Sequence, residues 1–216
     1  MNFIQTGSTY ATIAGGNHNT NTSDYAAIPG GQRNVADANS FAAGNNAKAT
    51  NTGAFVWSDG NGTVTSSITN NSVTFRARNG YRLFTGSGTG GAELLAGATA
   101  WSVMSDRNVK KDFAAVDSVS ILEKLAAMPI TQWHYKWEEP TVTPHIGPMA
   151  QDFKHAFYPG SDDKTISTLE ADGVAFAAIQ GLNKKLEAQK TENAELKAQL
   201  NALKVLVQQL AEPKQK

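Results

Sequence analysis

Four segments, YATIAGGNHNT, YAAIPGGQRNV, SFAAGNNAKAT and AFVWSDGNGTV, follow one another between residues 10 and 64. Their turn position recurs at Gly15, Gly30, Gly44 and Ser58, separations of 15, 14 and 14 residues, with Ile13, Ile28, Ala42 and Val56 two places before it. A unit of this length holds two short strands and two turns but cannot bury a face alone, so successive units must stack. A Gly/Asn/Thr-rich disordered linker would not keep apolar residues and turns in phase. The repeat resembles the β-roll heads of trimeric autotransporter adhesins, which implies that three chains pack their apolar edges around one axis.

The repeat ends near Gly60. In the text that follows, Val73, Phe75 and Ala77 alternate with Thr74 and Arg76, and Tyr81, Leu83 and the pair Leu94–Leu95 follow after glycine breaks. This predicts short strands forming a β-rich neck whose few apolar side chains share a core between subunits. GSGTGG at 86–91 lacks the Lys-Ser/Thr ending of a phosphate loop and reads as a turn.

Charge is sparse before Ser105, whereas most leucines come after it, so composition divides the chain there. A formal net charge of zero gives no field to draw the protein to nucleic acid or an anionic membrane, and neither partner is expected. The chain has no cysteine, which removes disulfides and thiolate chemistry. MNFIQTGSTY lacks the pattern of a secretory signal, and no apolar run is long enough for a membrane span.

Ile179, Leu182, Leu186, Gln189, Asn193, Leu196, Leu200, Leu203, Val207 and Leu210 are spaced alternately by three and four residues. That is a heptad seam, with Lys190, Lys197 and Lys204 at e and Glu192 at g. Gln189 and Asn193 form a polar layer that penalises shifted registers, and the β-roll upstream favours three strands over two. An amphipathic helix folded back on its own domain is the competing reading.

Residues 105–175 read as a compact α/β domain. Val119, Ile121, Leu122, Leu125 and Met128 have near-helical spacing ended by Pro129, ITQWHYKW alternates as a strand, and HIGPMAQDF reads as a second strand turning into a helix. His134, His145 and His155 lack ligand spacing and are read as structural, so no metal or other cofactor is expected. In SDRNVKKDF, an isolated Ser-Asp would ordinarily be a helix cap.

The ordered set SDRNVKKDF, LEKLAAMPITQWHYKW, HIGPMAQDF and DGVAFAAIQGLNKKLEAQ resembles the intramolecular chaperone auto-processing domain, peptidase S74, of phage tail spikes and endosialidases. The resemblance implies a homotrimer that helps intertwined, high-contact-order β-structure to fold and then releases itself with a Ser/Lys dyad, here Ser105 and Lys110. Arg107 and Asn108 complete the signature, and Gln151 and Asp152 match a supporting motif. A serine hydroxyl needs a base, and a lysine serves only when neutral, a form that burial or neighbouring positive charge favours; Arg107 and Lys111 stand close in sequence. The resemblance implies a cut between Ser105 and Asp106; an N-to-O acyl shift would instead part Met104 from Ser105.

The expected architecture is mixed. An all-β trimeric β-roll (1–60) and neck (61–104) precede an α/β chaperone domain (105–175) and a helix forming a trimeric coiled coil (176–216). The expected setting is a virion tail fibre or spike, or a bacterial surface adhesin, whose N-terminal part contacts a host receptor and whose chaperone acts in the cytoplasm during assembly. A permanent trimerisation foot that cuts no bond is the alternative.

Overall fold

Short apolar stretches between left-handed turn residues build the first part of the chain. In the computed structural model, which describes residues 1–60, 62–88, 90–157 and 162–211, ten strands come first. They are β1 (Phe3–Ile4), β2 (Thr12–Ile13), β3 (Thr20–Asn21), β4 (Ala27–Ile28), β5 (Val35–Ala36), β6 (Phe41–Asn45), β7 (Ala47–Ala49), β8 (Phe55–Asp59), β9 (Thr65–Ser66) and β10 (Val73–Arg76). Odd-numbered strands form one five-stranded sheet and even-numbered strands the other, all pairs parallel. The chain therefore winds as a β-solenoid, each coil giving one strand to each sheet. Stacking reaches from Phe3 to Arg76, beyond the 10–60 stretch where the repeat is legible.

The interior is narrow and made largely of alanine. Ala26, Ile28, Ala36, Ala42, Ala47, Ala49, Ala54 and Val56 are buried, with Ile13 packed against them. Ile13, Ile28, Ala42 and Val56 form one stacked column, as the spacing predicts. The core closes inside a single chain, so the expected packing of apolar edges from three chains is not what buries it.

The turn column differs by one residue from the sequence alignment in the first two coils: Gly16 and Gly31, not Gly15 and Gly30, stack under Gly44 and Ser58. A Cβ on Gly16 would lie 2.0 Å from the Gly31 oxygen, on Gly31 1.9 Å from the Gly44 oxygen, and on Gly44 2.0 Å from the Ser58 oxygen. All three glycines have φ between 82° and 93°, so both backbone conformation and coil spacing require glycine. The earlier coils carry one extra residue between the interior column and this turn, which shifted the alignment. At the opposite corner Tyr10, Tyr25, Asn39, Gly53 and Asn71 are all left-handed. Each N–H from Tyr25 onward donates to the coil below, as Tyr25 does to Thr9 O at 3.0 Å, and these bonds offset the strain.

Three asparagine interactions, the upper two of them buried, run up the solenoid. Asn2 Oδ1 accepts from Asn19 N–H, Asn19 Oδ1 from Asn34 N–H, and Asn34 Oδ1 from Ala47 N–H, each at 3.0 Å. The amide groups donate to turn carbonyls, Asn34 Nδ2 to Gly30 O at 3.0 Å and to Gly44 O at 2.9 Å. Outside, Phe41 stacks on Phe55 at 4.4 Å between centroids and Phe75 tilts against Phe55 at 5.4 Å, making an apolar ladder on the even-numbered sheet.

The neck is a three-stranded antiparallel sheet of β11 (Tyr81–Phe84), β12 (Gly91–Leu94) and β13 (Ser102–Val103). It belongs to the same compact unit as the solenoid, and the chain divides between Asp106 and Arg107.

The second unit holds a 3₁₀ turn (Arg107–Val109), α1 (Ser118–Ala127), the hairpin β14 (Thr131–Trp133) with β15 (His145–Gly147), α2 (Ala150–Phe157) and α3 (Thr168–Ala211). Asp117 caps α1, accepting from Val119 N–H at 3.1 Å and Ser120 N–H at 3.2 Å. The helix stops before Pro129 and the hairpin and α2 follow, as the patterns predict. α3 is a single helix of 44 residues. Its N-terminal part packs on α1 through Ala178 and Gly181, and Lys185 Nζ meets Glu123 Oε1 at 2.9 Å. The heptad seam lies roughly a quarter turn away at 3.6 residues per turn. Its apolar positions, Ile179 through Leu210, stay exposed. Packing onto its own domain and presenting a seam thus occur on different faces of one helix.

Candidate functional site

The two candidate catalytic residues fall on either side of the division between units: Ser105 and Asp106 end the first, and Lys110 lies in the second. On the upstream side, β13 leads directly to the serine. Pairing sets Arg82, Glu93 and Ser102 in one row across the neck sheet, and Leu83, Ala92 and Val103 in the next. Side chains alternate between faces along a strand, so Met104 shares the Arg82 face. That face and Ser105–Asp106 enclose a concavity of about 370 Å³. Arg82 Nε lies 3.3 Å from Glu93 Oε2 on its wall.

The sheet is tied to the solenoid at one corner. Tyr81 Oη donates to Phe75 O and accepts from Ala77 N–H at 2.9 Å. Arg78 donates to Asp59 Oδ2 through its backbone N–H at 2.8 Å and through Nε at 3.0 Å, and these bonds hold the Asp59 carboxyl below its ordinary pKa.

On the downstream side Arg107, Asn108 and Lys110 lie on an exposed turn closed by Lys110 N–H donating to Arg107 O at 3.1 Å. Lys111 Nζ is 3.7 Å from Asp112 Oδ2, an exposed pair that contributes little. Gln151 and Asp152 open α2 on different sides. Gln151 lines a cavity of about 620 Å³ with Trp133, Tyr135 and Lys164, whereas Asp152 lines another with Lys124 and His155.

His134 and His145 have partners within the hairpin. His134 Nε2 is 3.0 Å from Val142 O, and His145 Nε2 is 2.9 Å from Glu138 Oε1. The imidazole, together with the Tyr135 N–H, lowers the Glu138 carboxyl pKa. Among the described residues no cluster of three or more His, Asp or Glu could hold a metal, and no helix is long and apolar enough to cross a membrane. Gln189 and Asn193 stand exposed on α3, with Gln189 Nε2 donating to Glu192 Oε2 at 3.1 Å.

Sequence reasoning missed the Arg82–Glu93 pair and the neck concavity. Cross-strand register fixes both, and only the alternation of YRLF hinted at the first strand.

Residues 105–160 match the family model for the chaperone of endosialidase, Peptidase S74, as the ordered motifs indicate. The match begins at Ser105 and supports an intramolecular-chaperone role for a fibrous β-structure and a self-cleaving peptidase-like domain. No curated protein and no solved structure matches the chain.

Proposed function

With a Peptidase S74 segment beginning at Ser105, we propose that the second unit is a trimerising chaperone that severs itself from the β-structure upstream. The observation that carries this reading is the position of the match: its first residue lies at the junction where β-structure gives way to helical structure. Two apolar surfaces of the single chain support association of copies, the α3 seam and the aromatic ladder outside the solenoid. A parallel three-stranded coiled coil would raise local concentration and set the copies in register, with Gln189 and Asn193 penalising slippage.

In the chemical step Lys110 takes the Ser105 hydroxyl proton. For a cut after Met104, Oγ bonds to the Met104 carbonyl carbon, the bond from that carbon to the Ser105 nitrogen breaks as Lys110 returns the proton to the nitrogen, and water then hydrolyses the ester. For a cut after Ser105, the preferred site, the Ser105/Lys110 pair activates a water that adds to the Ser105 carbonyl carbon, and the Asp106 nitrogen leaves with a proton. Either route consumes one water and leaves a new carboxyl and a new amino terminus. The parent assembly is a tail fibre, spike or surface adhesin, with its N-terminal part facing a receptor and its chaperone acting in the cytoplasm before release.

Intact mass and oligomeric state of wild type, Ser105→Ala and Lys110→Arg test the proposal. Wild type should give two fragments meeting at Ser105, and both variants a full-length trimer, because an arginine stays protonated and cannot act as base. A full-length wild-type trimer would identify a permanent trimerisation foot instead.

A further inference from the structure

We propose that Arg82, on β11 of the neck, supplies the positive charge that stabilises the tetrahedral oxygen during cleavage, so that the cut depends on the upstream sheet having formed. This inference rests on the self-cleavage reading above. Among the residues lining the concavity that holds Ser105 and Asp106, Arg82 is the cation, and Glu93 and Asp106 are carboxylates. Negative charge developing on a carbonyl oxygen there needs a donor or cation to meet it, and the guanidinium whose Nε faces Glu93 has further N–H groups to offer.

Register places Arg82 for this role. Its row passes through Glu93 to Ser102, two strand spacings of ~4.8 Å across the sheet, and Ser105 follows three residues after Ser102. Arg82, Ser105 and Asp106 line the same concavity, and the ion pair with Glu93 at 3.3 Å holds the guanidinium on its wall. Arg82 and Ser105 line one concavity only when β11 has paired with β12 and β12 with β13. Cleavage would then report that the neck is folded. Arg82 lies upstream of residues 105–160, so this contribution belongs to the β-structure and not to the matched family segment.

The test measures first-order cleavage of newly refolded wild type, Arg82→Ala and Arg82→Lys by intact mass, with thermal unfolding as a check on folding. The expected result is a loss of about a hundredfold in Arg82→Ala, an intermediate rate in Arg82→Lys, and partial recovery of the alanine variant in millimolar guanidinium, with unchanged melting. Wild-type cleavage by Arg82→Ala would overturn the assignment while leaving self-cleavage standing. So would a slow variant that guanidinium does not rescue, since Arg82 would then be structural. A wild type that never cleaves would overturn self-cleavage itself, and the role of Arg82 with it.

Discussion

Asn34 shows how single residues hold the solenoid together. It is fully buried, and its amide donates to two turn carbonyls while its oxygen accepts from the next coil. Asn34→Ala would strand a buried N–H and weaken two carbonyl contacts, and should destabilise the first unit by about 3 kcal/mol at ~1–3 kcal/mol per orphaned group. Chemical denaturation of the Ser105→Ala background would measure it; a change below about 1 kcal/mol would mean that water replaces the ladder. The signal was present in the sequence as Gly-Gly-x-x-Asn, at Gly15–Asn19 and Gly30–Asn34. A polar Asn/Thr segment reads as surface by composition, yet these side chains satisfy the backbone of tight turns inside a core too thin for larger residues.

The elements of the second unit were the most legible, because helical periodicity survives without knowledge of neighbours. α1, α2 and the hairpin fall where pattern and proline punctuation put them. The closeness of α1 to α3 was not legible: a Cβ on Gly181 would stand 2.1 Å from Ser118 O, and a lone glycine in a helix carries no message about its partner. This contact and the heptad seam occupy separate faces, so they can be broken separately. Leu200→Glu, at an a position, should abolish association while leaving the far-UV circular dichroism of the second unit near wild type. Gly181→Val should instead unfold the α1–α3 packing. Loss of association in neither variant, measured by sedimentation, would exclude the seam as the assembly surface.

At the scale of the molecule, the structure changes what a chaperone would be needed for. Intertwined β-structure of high contact order was the expectation, but coil-to-coil pairs join residues only one turn apart, such as Ala42 with Val56, and the alanine core closes in one chain. On the proposed function, the remaining demand would be to match copies of the chain along the aromatic ladder and the neck, where apolar side chains such as Phe75, Leu83, Phe84 and Trp101 stay exposed in a single chain. In the proposed scheme a C-terminal seam would meet that demand by fixing register before the β-structures meet, and severing it afterwards would leave a product with no route back. The most direct measurement is refolding from denaturant of uncleaved Ser105→Ala beside the cleaved wild-type upstream fragment, followed by oligomeric mass. The account predicts that the uncleaved chain regains a trimer and the severed fragment does not; equal recovery of trimer by both would contradict it.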